Sequence, residues 1–316
     1  MPTTYIIGHQ KPDTDSVVAA MALEYLYKKA TCFDYAHPKA VIADPVNSET
    51  KYLLDRFGVK APQILRASDV KPDDQFVLVD HNETTQRHSA ITDDQVVEIV
   101  DHHKANLNFG KPIYLTFKTW GSSCTIVNYV MQQCSVQPDT TLAGLMLAAI
   151  LSDTVGLKSP TSTKHDRDAV TRLAQLASIK DLDGFTLEIF KAKSDISRLS
   201  AEQIVKNDYK IFEFAKPTYI GQIETVEQQL LLDQKKDELI TAMKIVKKEM
   251  GVEYLFLAVT DILQINTKLL ILDKDEALIA QKAFGGRVVD SVLDIGAKLS
   301  RKKEIAPAIE TAVASC

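Results

Sequence analysis

Gly8-His9-Gln10-Lys11-Pro12-Asp13-Thr14-Asp15-Ser16 follows the apolar run Tyr5-Ile6-Ile7 and precedes residues 17–29, where apolar positions recur at helical spacing. The stretch reads as a strand-to-helix turn. Gly8 permits a sharp exit from the strand, and Pro12 stiffens the loop and keeps Lys11 out of helical geometry. One imidazole (His9) and two carboxylates (Asp13 and Asp15) on a stiff turn can converge on a divalent cation. Asp15 or Ser16 can equally cap the helix, as acids and hydroxyls commonly do. The turn alone does not decide between these readings; the rest of the chain does.

Outward from it, the first half alternates strand and helix signals. Residues 39–43 (KAVIA) read as a strand, and 48–57 as a helix capped by Ser48 and closed by Gly58. Phe76-Val77-Leu78-Val79 is continuously apolar, which suits a strand buried on both faces, and it ends in Asp80-His81-Asn82-Glu83. Residues 96–100 repeat the pattern and end in Asp101-His102-His103-Lys104, with another strand at 113–117. Helices follow at 122–133, at 140–151 (running into Ser152-Asp153-Thr154) and at 163–177. This order predicts an α/β fold whose N-terminal part is a mostly parallel, Rossmann-like sheet with helices on both faces. Ligand groups in such sheets gather at the carboxyl ends of the strands, where His9, Asp80 and His102 fall.

Composition shifts near residue 180. Residues 180–195 are polar and interrupted by Asp181, Asp183 and Gly184. The chain therefore divides into a domain over 1–190, a linker over 191–195 and a smaller C-terminal α/β domain with a mixed sheet over 196–316. Within the second domain the pattern gives a helix at 201–214, a strand at 219–223 and a long charged helix at 226–250 closed by Gly251. Strands at 254–259 and 268–272, a helix at 276–283, a strand at 288–293 and a last helix from about Arg301 complete it.

The chain has 316 residues, 45% of them hydrophobic and 25% charged, the balance of a soluble globular protein. A net charge of -5 argues against a broad nucleic-acid footprint. No apolar run is long enough for a membrane span, and the N-terminus enters a strand pattern without a signal segment. Cys32, Cys124, Cys134 and Cys316 form no CxxC and read as reduced thiols of a cytoplasmic protein. Cys124 and Cys134 fall in an apolar helix pattern, hence core, and Cys316 is an exposed last residue.

Imidazoles and carboxylates recur at element ends: His9, Asp13 and Asp15, then Asp80, then His102 and His103, then Asp153. Of the seven histidines, His9, His81, His102 and His103 all lie inside these motifs. A single such residue is more often part of a loop than a ligand; the set reads as a two-metal site with roughly six ligands. Two cations about 3.5–4 Å apart need a bridging carboxylate, and Asp80, on the most buried strand, is the choice. Mixed oxygen and nitrogen ligation favours manganese or cobalt; magnesium prefers oxygen, and zinc usually draws more His or Cys. His81, Asn82 and Asp101 support the ligands, with Asp101 and Glu83 the carboxylates to orient a ligand imidazole. His37, His88 and His165 read as surface residues, and Trp120 as core or interface.

GHQKPDTDS (8–16), VDHNE (79–83), VDHHK (100–104) and SDT (152–154), in this order, resemble the DHH phosphoesterase superfamily. With the chain length and LSRKKE (299–304), the whole chain resembles its family II, manganese-dependent inorganic pyrophosphatases. The resemblance implies a DHH metal-binding catalytic domain followed by a DHHA2-type substrate-binding domain. It implies two Mn2+ per subunit, with Co2+ as a substitute: His9 and Asp13 on the first, Asp15, His102 and Asp153 on the second, and Asp80 on both. His103 would contact substrate, and Lys210 (in Asp208-Tyr209-Lys210), Arg301 and Lys302 would bind phosphate. Lys206, one helical turn from Lys210, leaves that last position open.

The implied reaction is hydrolysis of pyrophosphate to two phosphates. A hydroxide held between the metals attacks phosphorus in line; Mg2+ arrives with substrate, and the cationic side chains and His103 stabilise the leaving phosphate. The charge logic agrees, since Arg301 offers a fork of donors, Lys302 a point charge, and a helix start favours anions. Lys303 reads as solvated. The two domains would close over the substrate, and the resemblance also implies a homodimer through the N-terminal domain, with edge strands as the joint.

Two rival readings keep less support. Oligonucleotide or polyphosphate hydrolases of the superfamily usually carry a GGGH-type stretch, whereas here Phe284-Gly285-Gly286-Arg287 lacks a His. A non-catalytic metal-bound phosphate sensor would be expected to have lost at least one acid, and the set is intact.

Overall fold

Thr4–Ile7 (β1) lies at the middle of a six-stranded sheet with Lys39–Ile42 (β2), Gln63–Ile64 (β3), Gln75–Val79 (β4), Val96–Asp101 (β5) and Tyr114–Phe117 (β6). The computed structural model describes residues 2–194 and 199–314, which fall into two units, 1–193 and 194–316. The first sheet runs β3-β2-β1-β4-β5-β6, and every pairing is parallel. Strand order reverses between β1 and β4, which opens a crevice beyond their carboxyl ends.

Six helices follow or separate these strands: Thr14–Lys29 (α1), Ser48–Arg56 (α2), Ser123–Gln133 (α3), Thr140–Asp153 (α4), Lys164–Ala177 (α5) and Leu182–Lys193 (α6). Strand residues alternate between faces, so Ile6, Val77, Val79 and Val100 join one core and Ile7, Phe76, Leu78 and Ile99 another. The first core draws on every helix of the unit, through Leu23, Leu53, Ile126, Leu147, Leu173 and Ile189. The opposite core is completed by loop residues Leu65, Ile91, Leu107 and Phe109. The two-sided burial that continuous apolar strands demand is thus met, but where helices were expected on both faces, the six helices contribute to the first core and the second is completed by loop residues. α4 is buried from Leu142 to Ser152, as its nearly uniform apolar sequence requires.

Several local readings of the sequence are corrected. The cap of α1 is Asp13, whose Oδ1 accepts from Ser16 N at 2.9 Å, not Asp15 or Ser16. The cap of α2 is Asn47, one residue before Ser48. Lys11, expected out of helical geometry, has a φ of 52° and so lies outside the right-handed helical region, in the left-handed one. The polar stretch after residue 180 is helical, because Phe185, Ile189 and Phe190 fall on one buried face and Asp181 caps the start by accepting from Gly184 N. Three residues of the expected linker, 191–193, are the last turn of this helix, and Asp195 lies outside the described residues. Cys124 is buried, but Cys134, at the C-cap of α3, is only half-buried; Cys316 also lies outside the described residues.

The second unit has a five-stranded sheet of Tyr209–Glu213 (β7), Pro217–Thr225 (β8), Tyr254–Asp261 (β9), Asn266–Leu270 (β10) and Val292–Asp294 (β11), in the order β11-β10-β9-β8-β7. β8 and β9 are parallel and the other neighbours antiparallel, a mixed sheet. Ala201–Val205 (α7) and Gln228–Met250 (α8) cover one face; Lys274–Phe284 (α9) and Ala306–Val313 (α10) cover the other. A π-helical turn, Arg301–Ile305, leads into α10. The helix expected over 201–214 stops at Val205, and Tyr209–Glu213 instead pairs with β8, with Tyr209 stacked on Tyr219 at 4.6 Å. Lys206 and Lys210 are therefore not neighbours on a helix. The strand expected at 288–293 is shorter and later, at Val292–Asp294. Among the described residues no helix is long and apolar enough to cross a membrane.

Candidate metal centre

Each candidate ligand sits where an element ends at the β1/β4 crevice. β1 delivers His9 and, through the turn, Asp13 and Asp15; β4 delivers Asp80; β5 delivers His102; and Asp153 is the last residue of α4. Gly8 is needed here for space: a Cβ at this position would meet Ser16 Oγ at 1.9 Å. The absent side chain lets the end of β1 lie directly against the start of α1.

Asp80 is the shared member of three groups whose ligand atoms lie within 4.8 Å of one another. One is His9, Asp13 and Asp80; the second is Asp15, Asp80, His102 and Asp153; the third is Asp80, His102 and His103. Asp80 is 2% exposed and has a φ of 64°, a left-handed conformation that Asp tolerates better than most residues and that here aims its carboxylate into the crevice. Ser123 Oγ donates to its Oδ1 at 2.9 Å.

The imidazoles are oriented by main-chain carbonyls. His9 Nδ1 donates to Gln10 O at 2.7 Å, and His102 Nδ1 donates to Trp120 O at 3.0 Å. The Nε2 of each ring then faces carboxylates. His9 Nε2 is 3.6 Å from both Asp13 Oδ1 and Asp80 Oδ2, and His102 Nε2 is 3.2 Å from Asp80 Oδ1 and 3.6 Å from Asp153 Oδ2. His102 Nε2 is sealed from water and has no aligned hydrogen-bond partner. A buried, unpartnered ring nitrogen aimed at carboxylates fits a cation between them. The donor set, carboxylate oxygen plus imidazole nitrogen, is that of a borderline divalent ion.

Asp15 is held at the N-terminus of α3, where Ser122 Oγ and Ser123 N donate to it at 2.6 Å each and Cys124 N at 3.0 Å. The clamp by Ser122 and Ser123 is a part of the site that the ligand motifs do not announce; its signal in the sequence is the Gly121-Ser122-Ser123 helix start. Thr14, between two candidate ligands, bonds to buried Glu49 and to Thr50, a support with no sequence signal at all.

Asp101 is fully buried and its partners differ from the expectation. Its Oδ1 accepts from the backbone of His102 and His103 and from His103 Nδ1 at 2.9 Å, while Oδ2 accepts from Asn82 at 2.6 Å. It thus orients His103, not the two ligand candidates, and Glu83 orients none of these rings among the described residues. His103 is half-exposed, and its Nε2 has no hydrogen bond among the described residues. His81 is buried, its Nδ1 tied to Val79 O at 3.0 Å.

The crowding of acids is visible in their protonation. Burial, then the neighbouring Asp80 carboxylate, pushes Asp15 up to about 6, and the same causes, burial followed by Asp15 and Asp80, hold Asp153 well above the carboxylate range. Burial works against charged imidazoles, yet the carboxylates outweigh it, raising His9 to about 11 through Asp13 and Asp80 and His102 to about 10 through Asp80. Burial would raise Asp80, but its contacts with His102 and His9 hold it below the usual range. The crevice is a place where positive charge is strongly favoured.

In the other unit Arg301 Nη2 donates to Asp208 Oδ1 at 2.7 Å, while its Nη1 is buried without a partner. Lys302 is exposed. Ser300 Oγ accepts from Lys303 N, so one first-turn N–H of the expected anion-binding helix start is occupied, and Glu304 accepts from the preceding amides of Leu299 and Ser300. Lys206 is engaged by Glu249 at 2.6 Å. Lys210 is exposed on β7, 5.2 Å from the Phe212 ring, with no ion pair among the described residues.

The chain matches the DHH family N-terminal domain over residues 3–150 and the DHHA2 domain over 187–312. It is 36% identical over 311 residues to a protein of Deinococcus radiodurans named "Probable manganese-dependent inorganic pyrophosphatase", covering 96% of this chain and 97% of that one. It is 32% identical to the manganese-dependent inorganic pyrophosphatase of Methanocaldococcus jannaschii, over 98% of both chains. A Methanococcus jannaschii crystal structure assigned to the family II inorganic pyrophosphatases superposes with a TM-score of 0.62 at 30% identity, covering 98% of this chain and 99% of that one. An exopolyphosphatase-related protein of Bacteroides fragilis shares the fold at a TM-score of 0.53 and 15% identity, covering 99% and 92%. Fold and crevice together thus define a two-domain protein of the DHH–DHHA2 class. Within that class, the chain belongs to the family of manganese-dependent, family II inorganic pyrophosphatases.

Proposed function

We propose that the chain hydrolyses inorganic pyrophosphate to two phosphates. The observation that carries this reading is the sharing of Asp80 by the His9/Asp13 group and the Asp15/His102/Asp153 group, with both imidazole Nε2 atoms turned inward. In this reading His9, Asp13 and Asp80 hold one Mn2+, and Asp15, Asp80, His102 and Asp153 hold another; Co2+ suits the same donors, and Mg2+ accompanies the substrate. When bound, such cations neutralise phosphate oxygens and acidify water toward a nucleophile for in-line attack.

The chain's own groups do the rest. Carbonyls of Gln10 and Trp120 hold the Nδ1 protons of His9 and His102 and leave each Nε2 facing the carboxylates, where a cation would take the place of the Nε2 proton that those carboxylates otherwise favour. Asp101 holds His103 with its outer nitrogen free to donate to a phosphate oxygen. Arg301, steadied on one side by Asp208, keeps a second nitrogen for phosphate, and Lys302 and Lys210 add charge that stabilises the leaving phosphate. The engagement of Lys206 by Glu249 favours Lys210 as the phosphate ligand. The N-terminal unit is the metal-binding catalytic domain and the C-terminal unit the substrate-binding domain. A homodimer through β6 is supported by the exposure of Tyr114 and Leu115 on that edge strand, 59% and 46%. The enzyme is read as cytoplasmic, with pyrophosphate and no nucleic acid as its partner.

The test is phosphate release by chelated enzyme given back Mn2+ or Mg2+, with pyrophosphate, tripolyphosphate and a dinucleotide compared at equal enzyme. Preference for Mn2+ and pyrophosphate is expected. Faster release from either other substrate would replace this reading with the polyphosphatase or nuclease one, and no turnover of any of them would leave the sensor reading.

A further inference from the structure

The four cysteines are far apart in the chain and form no CxxC, but the fold brings two of them together. Cys32 lies three residues beyond the end of α1, and Cys134 caps the end of α3. They are 102 positions apart in the chain, and their Sγ atoms stand 3.2 Å apart. Cys32 is exposed and Cys134 half-buried, whereas Cys124 is buried. The loop that carries Cys32 is anchored at the next residue, where Phe33 packs on Tyr27 at 4.7 Å and on Tyr35 at 6.1 Å. The sulfurs therefore meet on braced backbone.

We propose that Cys32 and Cys134 are an oxidation site that closes to a reversible intramolecular disulfide. The sulfurs have to approach by roughly 1 Å to reach bonding distance, within reach of a side-chain rotation at the exposed Cys32. Cys32 is the exposed sulfur and so the first to meet an oxidant, and half-buried Cys134, whose pKa burial and the adjacent Cys32 thiol push up to about 11, is the resolving thiol. With a hydroperoxide, Cys32 sulfur takes one oxygen as the O–O bond breaks and a water or alcohol leaves. Cys134 sulfur then displaces that oxygen as a second water and forms the S–S bond. Two thiols give up two electrons and two protons, and the peroxide takes up both. A small-molecule disulfide reaches the same product by exchange and departs as two thiols.

The bond joins the far ends of the two helices whose N-termini meet at Asp15. It also closes a long loop in the unfolded chain, which raises the stability of the oxidised N-terminal unit. The inference does not depend on what the metal centre does.

The Mn2+-loaded full chain is treated with hydrogen peroxide or with oxidised glutathione, then examined by intact mass, by peptide mapping after alkylation and by thermal unfolding. The expected result is loss of two hydrogen masses, a fragment joining Cys32 to Cys134, reversal by dithiothreitol and a rise in melting temperature of roughly 5 °C or more. Cys32→Ser, a mild change at an exposed position, should abolish the fragment and the rise while melting like the reduced wild type. Alkylation of both Cys32 and Cys134 after oxidation, a bridge from either to another cysteine or another chain, or a bridged protein with unchanged melting would overturn the inference.

Discussion

The groups read as metal ligands and those read as phosphate ligands are built in different ways. In the N-terminal unit Asp15 accepts three hydrogen bonds, Asp80 is 2% exposed and braced by Ser123, and both inward imidazoles are tied to carbonyls. In the C-terminal unit Lys210 and Lys302 stand in solvent, and Arg301 is braced on one side by Asp208. Charges of one sign crowded in a crevice need fixed geometry to accept cations with little reorganisation. Cations meant for a diffusing polyanion can stay hydrated until it arrives, at little cost to stability.

The comparison breaks first at Asp80. Asp80→Asn should keep the left-handed backbone and the fold, seen as unchanged far-UV circular dichroism, and lose about a thousandfold or more in kcat. Asp80→Ala should lose as much activity, with an added strain of about 1–2 kcal/mol from Ala at positive φ. Turnover within tenfold of wild type in either would remove the bridging role.

On the looser side, Arg301→Ala should cost about a hundredfold in kcat/KM, and Asp208→Ala a smaller, KM-weighted loss because only the brace goes. Lys210→Ala should lose about tenfold or more, against less than about threefold for Lys206→Ala, whose partner Glu249 is a surface group. Equal losses at the two lysines would undo the distinction. Asp101→Asn lies between the two regions in kind: it should lower kcat about tenfold through a misoriented His103, with Mn2+ affinity nearly unchanged, since Asp101 contacts neither inward imidazole ring.

The smallest effect uses a buried carboxylate that no cation would serve. Glu98 accepts from Tyr27 and Tyr35, 2.7 Å each, and burial raises its pKa despite those bonds. The folded form then holds the proton more tightly than the unfolded one. Its contribution therefore falls as pH rises from the ordinary glutamate value through the raised one, and is flat above it, with a slope of at most about 1.4 kcal/mol per pH unit. Stability of Glu98→Gln measured by urea unfolding should lack that slope relative to wild type; identical pH curves would contradict the assignment.

Strands, most helices and the α/β class were legible because β4, β5 and α4 carry uninterrupted apolar runs, and because the His and Asp motifs stand directly after them. The support of the site was less legible. Glu49 reaches Thr14 from 35 positions away and Trp120 orients His102 through a carbonyl, which any residue could supply. Polar residues around Phe185 hid α6, since its helicity rests on three buried side chains and not on propensity. Tyr209–Glu213 reads as helix by neighbourhood and becomes a strand because β8 offers it a free edge. The meeting of Cys32 and Cys134 is likewise a product of helix packing that no local spacing announces.

The central claim is that two cations share Asp80. Titration of metal-free protein with Mn2+, followed by calorimetry and electron paramagnetic resonance, tests it without reference to turnover. Two equivalents per chain with spin-coupled signals, reduced to one uncoupled equivalent in Asp80→Asn, is the predicted result. A single equivalent in the wild type, or two coupled ions retained in Asp80→Asn, would contradict it.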